Sequence, residues 1–301
     1  MSALDWKNTV LLDGKAVAAH RRARLASEVL EFRAKSGRAP GLAVILVGDN
    51  PASHIYVKNK IKACEEAGIA SFHIPLAATV TQEELHKEIE KLNTRKDVDG
   101  ILVQLPLPKE LNETAALETI APHKDPDGLT SGNLGLLLAG RKRVAPCTPF
   151  GVMKILEHFQ IALEGKKAVV VGRSNIVGKP MSLLLQEANA TVTMAHSRTK
   201  DLASVTREAE IVVVAAGQPR FLGREAFGKG SVVVDVGIHR VPASETLLIG
   251  GKKSSICGDV RYEELLGHVQ AITPVPGGVG PMTIQMLLEN TLTLSKLGAS
   301  L

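Results

Sequence analysis

Aromatic residues are scarce in this chain, only 3% of 301 residues, with one Trp, two Tyr and six Phe. Each ring therefore stands out as a candidate for a specific task. Cysteine is scarcer still: Cys64, Cys147 and Cys257 lie far apart, with no C-x-x-C and no histidine at metal spacing. That excludes a disulfide framework and a thiolate metal site, predicts no metal, and fits reduced cytosolic thiols. No apolar stretch reaches the length of a membrane span, and the first residues lack the basic-then-apolar run of a secretory signal. Residues 15–36 are rich in arginine, but Glu28 and Glu31 point to an ordinary amphipathic helix and not a transit peptide. The expected compartment is the cytoplasm, with no membrane partner. No basic block exists either: 36 Lys+Arg against 31 Asp+Glu gives a dispersed charge of +5, which suits small acidic molecules and does not predict nucleic acid.

What is present is enough chain for two domains, with 45% hydrophobic and 22% charged residues, the composition of a soluble globular protein. In the first half, Leu42 to Val47 reads as a strand closed by Gly48-Asp49-Asn50-Pro51. A helix from about Ser53 to Ala67 stops at Gly68, Ala70 to Leu76 is a strand, and Thr81 to Asn93 is a helix with Glu83 and Glu84 in its first turn. Gly100 to Leu105 forms another strand, ended by Pro106 and Pro108. Such alternation predicts a parallel α/β layer. The glycine-rich, then basic run 129–144 reads as a hinge, followed by a helix from about Phe150 to Phe159. Beyond it come strands at 168–171, 191–195, Ile211 to Ala215, Ser231 to Val236 and Ala271 to Thr273, then a last helix from about Met282 to Leu297.

The most informative stretch is 168–182, AVVVGRSNIVGKPMS. A buried strand runs into Gly172, Gly178 follows six residues on, and Pro180 sits near the start of a helix. Glycines let backbone approach a pyrophosphate, and the helix terminus offers unpaired N–H groups. The spacing is not G-x-G-x-x-G, so a plain strand-turn-helix is the competing reading. The next strand, Thr191 to Ala195, ends in His196-Ser197-Arg198-Thr199, with no carboxylate where NAD-binding folds place one for the ribose hydroxyl. A hydroxyl beside a cation, with Arg173 as a second cation, favours the 2′-phosphate of NADP. A solvated turn is the alternative for Ser197 and Arg198.

Outside that unit, Tyr56 and Lys60 stand four apart on one helix face, pairing an aromatic platform with an amine that burial can turn into a base. A surface lysine and a packing tyrosine are the plainer reading, since Lys58 and Lys62 share the helix. Gln104 lies at the carboxyl end of a strand, where open α/β sheets bind ligands, or ties down the following proline loop. Asp125 and Asp127 flank Pro126, either to bind a heterocycle edge or to cap a turn. The loop Pro274-Val275-Pro276-Gly277-Gly278-Val279-Gly280-Pro281 combines fixed bends with exposed N–H groups at a helix start.

Taken in order, YVKNKIKACEEAGI (56–69), DGILVQLPLP (99–108), PCTPFGVMKIL (146–156), VVVGRSNIVGKPM (169–181), DVGIHR (235–240), GDV (258–260) and TPVPGGVGPMT (273–283) resemble the bifunctional methylenetetrahydrofolate dehydrogenase/methenyltetrahydrofolate cyclohydrolase family over nearly the whole chain. The resemblance implies an α/β protein of two domains: an N-terminal substrate domain, 1–147 joined by 275–301, and a Rossmann-like NADP-binding domain, 148–274, with the C-terminal helix returning to the first. It implies tetrahydrofolate one-carbon derivatives as substrates, NADP as cofactor and a homodimer. It matches Lys60, Gln104 and Tyr56 to the catalytic lysine, its amide partner and the ring that stacks on substrate. Asp127 corresponds to the pterin-holding carboxylate, and Pro276, Gly277 and Gly278 to the loop beside substrate. Gly172, Arg173, Ser174, Ser197 and Ile238 correspond to cofactor contacts. One departure is Pro126, where the family has valine; proline removes an N–H and pushes Asp125 towards extended geometry. A shikimate-dehydrogenase-like oxidoreductase and a non-enzymatic NADP sensor are the alternative readings. The first does not predict Tyr56 or the proline-glycine loop, and the second predicts no turnover for a Lys60 substitution to remove.

Overall fold

The computed structural model describes residues 8–241, 247–249 and 252–300. Its elements run β1 (Val10–Leu11), α1 (Gly14–Ser36), β2 (Gly41–Val47), α2 (Pro51–Ala67), β3 (Ala70–Leu76), α3 (Gln82–Thr94) and β4 (Gly100–Val103). There follow α4 (Glu113–Glu118), α5 (Ser131–Leu138), α6 (Cys147–His158), β5 (Lys167–Val171), α7 (Gly178–Glu187), β6 (Thr191–Ala195), α8 (Leu202–Arg207) and β7 (Ile211–Val214). The remainder is β8 (Val232–Asp235), β9 (His239–Arg240), β10 (Leu247–Ile249), β11 (Lys252–Ser254), β12 (Ile256–Cys257), α9 (Tyr262–Leu265), β13 (Ala271–Ile272) and α10 (Val279–Gly298).

These elements form two compact units. One comprises Ala19–Cys147 with Ile284–Leu301; the other comprises Thr148–Thr283 with the stretch through Ala18. In the first, the parallel sheet has the order β3-β2-β4. The central strand, GLAVILV, is buried at all seven positions because helices cover both of its faces, and its β-branched residues suit that setting. One face, Ala43, Ile45 and Val47, packs with Leu85, Ile89 and Leu92 of α3. Helix α3 starts at a capping box, Thr81 accepting from the Glu84 N–H while the Glu84 carboxylate accepts from the Thr81 N–H. Strand β3 lies on one side of β2 and β4 on the other, so the chain reverses direction across the sheet at β2. Their carboxyl ends are the switch point where such sheets bind ligands.

The second unit is a six-stranded parallel sheet of order β1-β13-β8-β7-β5-β6. Its switch point lies at β5, with β6 on one side and β7 on the other. Apolar residues of β5, β7 and β8 pack with Phe227, Tyr262 and Leu265 in one core.

Several local expectations change. The hinge stretch contains α5, whose N-cap is Thr130, accepting from the Asn133 N–H. Strand β4 stops at Val103 and α6 starts at Cys147, while α7 begins at Gly178 with Pro180 in its first turn. The N-terminal stretch, assigned from sequence to the first domain, joins the second unit because Val10 and Leu11 pair in parallel with Ala271 and Ile272. A two-residue edge strand carries too little pattern to announce its partner. The antiparallel pairs β9 with β12 and β10 with β11 were likewise not foreseen. Among the described residues, no helix is long and apolar enough to cross a membrane and no group of His, Cys, Asp or Glu gathers to hold a metal.

Candidate functional site

In the first unit, helix α2 leaves β2 through Gly48, whose φ of 73° makes the turn, and Asn50, whose Oδ1 accepts from the Ser53 N–H at 3.3 Å. Its buried positions, Ser53, Val57, Ala63, Cys64 and Ala67, trace one stripe, and Lys60 falls in the middle of it. Lys58 and Lys62 are exposed, and Lys62 pairs with Glu66. Placement in that stripe separates Lys60 from its neighbours. The Lys60 Nζ donates to Gln104 Oε1 at 2.9 Å. Gln104 is 8% exposed; its backbone N–H donates to Ile45 O and its Nε2 to Leu105 O at 2.6 Å, so its oxygen is turned to the amine. Burial holds the Lys60 amine below the ordinary lysine range, with the Asp127 charge the largest opposing influence. Tyr56, one turn earlier, is 39% exposed and free to offer its ring.

The two aspartates around Pro126 have different fates. Asp125 is buried and structural: Oδ1 accepts from the Gly128 N–H, and Oδ2 from the Thr130 N–H and Asn133 Nδ2. Residues 125–128 form a turn, with the Gly128 N–H donating to Asp125 O and φ 68° at Gly128. Pro126 occupies the second position of that turn, a place that suits its fixed φ and needs no N–H. The departure from the family pattern is therefore compatible with this turn. Burial pushes the Asp127 carboxyl up, opposed by the Lys60 charge and a hydrogen bond with Cys147.

Sequence reasoning missed three residues here. Cys147, 1% exposed, donates to Pro126 O at 3.3 Å, and burial pushes its thiol well up. Ser53 is buried with its hydroxyl unpartnered among the described residues, on the Lys60 stripe. Asn290 of α10 donates through Nδ2 to Pro126 O at 2.8 Å and Ala145 O at 2.9 Å. A serine and a lysine seven apart in an apolar stripe were readable signals; Asn290 had none. Asn290→Ala strands two buried carbonyls, for an expected loss of about 1–3 kcal/mol in stability and a few-fold rise in KM for the substrate, checked by urea unfolding and steady-state kinetics.

In the second unit, Gly172 ends β5 at φ 133°, donating to Ala195 O, and a Cβ there would collide with the Ala215 carbonyl. At Gly178 a Cβ would collide with the Gly172 carbonyl. These glycines bring the β5–α7 loop close to its neighbours and open the amino end of α7. Ser174 Oγ accepts from the Val177 and Gly178 N–H groups, so its hydroxyl shapes the loop. Arg173 is exposed. After β6, Thr199 Oγ1 accepts from the His196 N–H, and His196 Nδ1 from the Arg198 N–H. That turn leaves the exposed Ser197 side chain available. The nearest following carboxylate, Asp201, accepts from the Ser204 N–H as the cap of α8. Ile238 is 46% exposed. Pro276, Gly277 and Gly278 belong to this unit, in a turn where the Gly278 N–H donates to Pro274 O and Gly277 O accepts from the Lys15 N–H.

The structure thus brings Tyr56, Lys60, Gln104 and Asp127 into one unit and Gly172, Arg173, Ser174, Ser197, Ile238 and 276–278 into the other. Fold and site define a class: an α/β protein pairing a Rossmann-like dinucleotide-binding unit with a second parallel α/β unit that carries a half-buried lysine against a buried amide. Within it, the chain belongs to the tetrahydrofolate dehydrogenase/cyclohydrolase family, matching the family's catalytic domain over residues 12–127 and its NAD(P)-binding domain over 146–298. It is 54% identical over 287 residues to the bifunctional protein FolD of Bdellovibrio bacteriovorus, covering 95% of this chain and 96% of that one. Among solved structures, it resembles the bifunctional FolD methylenetetrahydrofolate dehydrogenase/cyclohydrolase of Campylobacter jejuni, with TM-score 0.90, 48% identity and coverage of 96% and 99%. The methylenetetrahydrofolate dehydrogenase-cyclohydrolase of Trypanosoma brucei, complexed with NADP cofactor and inhibitor, matches with TM-score 0.91, 39% identity and coverage of 98% and 99%.

Proposed function

We propose that this chain is an NADP-dependent enzyme that oxidises 5,10-methylenetetrahydrofolate to 5,10-methenyltetrahydrofolate and hydrolyses that product to 10-formyltetrahydrofolate. The observation that carries the reading is the 2.9 Å bond between Gln104 and a lysine placed in an otherwise buried helix stripe. The second unit fits the cofactor: two close-approach glycines at the switch point, an open helix terminus, and Arg173 with Ser197 where the next carboxylate along the chain, Asp201, is consumed as a cap. When bound, NADP+ supplies the ring that accepts a hydride. Gly172, Arg173, Ser174, Ser197 and Ile238 bind and orient it, and alignment is what that step needs from the protein.

In the hydrolysis, water attacks the carbon bridging two folate nitrogens. Lys60, whose ammonium form burial disfavours, takes one proton from the water in its neutral form, and Gln104 holds the amine by accepting one of its N–H groups, so the lone pair points elsewhere. The carbon–nitrogen bond to N5 then breaks, the other water proton ends on N5, and the formyl group stays on N10; one proton is released overall. Tyr56 offers its exposed ring as a platform, Asp127 holds the pterin, and the Ser53 hydroxyl has a partner to gain. Residues 276–278 border the substrate. The substrate domain is Ala19–Cys147 with the C-terminal helix returning to it, the protein works in the cytoplasm, and it pairs as a homodimer, which sedimentation checks.

Purified protein given methylenetetrahydrofolate is expected to build methenyl absorbance faster with NADP+ than with NAD+, then to lose it as formyl product forms. No absorbance with either cofactor would sink the reading. The pH dependence has a definite sign. Burial disfavours the ammonium, so the neutral base appears below the ordinary lysine range and hydrolysis should rise with pH through that inflection. Asp127 raises the lysine value, so Asp127→Asn should move the inflection to lower pH, checked by kcat profiles of the two proteins.

A further inference from the structure

Two carboxylates of the second unit, outside every role assigned above, meet at the carboxyl ends of β7 and β8, where Asp235 accepts from the Asp259 backbone N–H. Asp235, the last residue of β8, is 2% exposed. Its Oδ1 accepts from the N–H groups of Gly237 and Asp259, both at 2.9 Å, and its Oδ2 from that of Val260 at 3.0 Å. Asp259, fully buried, accepts through Oδ2 from the N–H groups of Ala216 at 2.6 Å and Gly217 at 3.0 Å. Its Oδ1 accepts from the Gln218 N–H at 3.0 Å and lies 2.6 Å from His239 Nε2. Glycines make the room: a Cβ at Gly237 would collide with the Asp259 carboxylate, and one at Gly258 with that of Asp235.

Such a pair is costly to bury. Burial and the neighbouring Asp259 charge push the Asp235 carboxyl up to about 7, against the lowering effect of its three backbone donors. The two carboxylates accept from six backbone N–H groups, and an apolar pair in their place would leave those donors unsatisfied, so what the carboxylates do is hold this backbone. They hold the loop that follows β7, on the switch-point side of the sheet, and both flanks of Ile238. Gly237 is pinned by Asp235, and His239 by Asp259. Ile238 between them is presented 46% exposed, with the next strand pair, His239 with Cys257, fixing its register.

We propose that Asp259, Asp235 and His239 are positioning residues that set the nicotinamide end of the cofactor site, by fixing the 216–218 backbone and the pose of Ile238. The proposal rests on reading this unit as the NADP site. His239→Ala and Asp259→Asn are the variants, with His239→Gln as the conservative control that keeps an N–H donor. Each is assayed for dehydrogenase kinetics with NADP+ and, separately, for hydrolysis of supplied methenyltetrahydrofolate, a reaction that consumes no NADP+.

His239→Ala is expected to raise KM for NADP+ by about tenfold, and Asp259→Asn to lower dehydrogenase kcat/KM by about a hundredfold, the scale of a misplacement near 1 Å. The hydrolysis rate stays within twofold, and His239→Gln restores most of the KM. Variants whose NADP+ kinetics equal those of the wild type overturn the proposal, as do variants that lose both activities in equal measure, because the network would then be merely structural. A wild-type protein that binds no NADP+ in calorimetry overturns the cofactor reading itself. Unchanged variants of a turning-over wild type overturn only the positioning role.

Discussion

Replacing Lys60 by methionine is expected to cut hydrolysis of the methenyl substrate by about a hundredfold to ten-thousandfold, the range that a positioned proton-transfer group contributes. Methionine keeps the unbranched chain and fills the same stripe between Val57 and Cys64, so the fold should persist. What disappears is the amine 2.9 Å from Gln104. Gln104 then keeps only its side-chain donation to Leu105 O, and an amide is no base for the attacking water. NADP+ binding resides in the other unit and should be unchanged. Stopped-flow loss of methenyl absorbance, with calorimetry of NADP+ on the same sample, makes the comparison. Full hydrolysis by the methionine variant would remove Lys60 from the mechanism.

Gly172→Ala should do the converse, abolishing measurable NADP+ binding and the dehydrogenase reaction while leaving hydrolysis of supplied methenyl substrate. Two independent reasons converge. The φ of 133° is one that L side chains rarely adopt, and a Cβ in that direction meets the Ala215 carbonyl oxygen, which is backbone and cannot rotate away. Ala215 is fixed because its N–H donates to Val171 O. The loop must therefore move, taking Arg173 and Ser174 with it. Strain of this kind is expected to cost about 1–3 kcal/mol, seen as an earlier thermal transition. An alanine variant that bound NADP+ normally would show that the loop does not need this approach.

How far the chain could be read in advance depended on how local each signal was. Strand β5, the glycines after it, the Tyr56–Lys60 spacing and Gln104 at a strand end are visible within a few residues, because apolar runs, φ freedom and helix periodicity are short-range properties. The fate of Asp125 against Asp127 was not. Both flank one proline, and only the fold shows Asp125 consumed by Gly128, Thr130 and Asn133. Asn290 is farther from legibility: its two acceptors, Pro126 O and Ala145 O, lie 164 and 145 positions away. The same holds for Asp259 and the 216–218 loop, some 40 residues apart.

The sequence by itself determined the α/β class and the two parallel layers and marked the glycine loop and the Tyr56–Lys60 spacing as candidates, since each follows from periodicity and from what glycine, proline and charge permit locally; a role for Lys60 came only from the family resemblance. Tertiary structure decided which polar groups are consumed and which are left for a ligand. It placed Ser174 in the loop before α7, Asp201 in a cap, Asp125 in a turn and Lys60 against Gln104, and it gave the N-terminal strand to the second unit. Hydrogen-bond capacity is a quantity shared among residues distant in sequence, so only the folded chain shows where it has been spent.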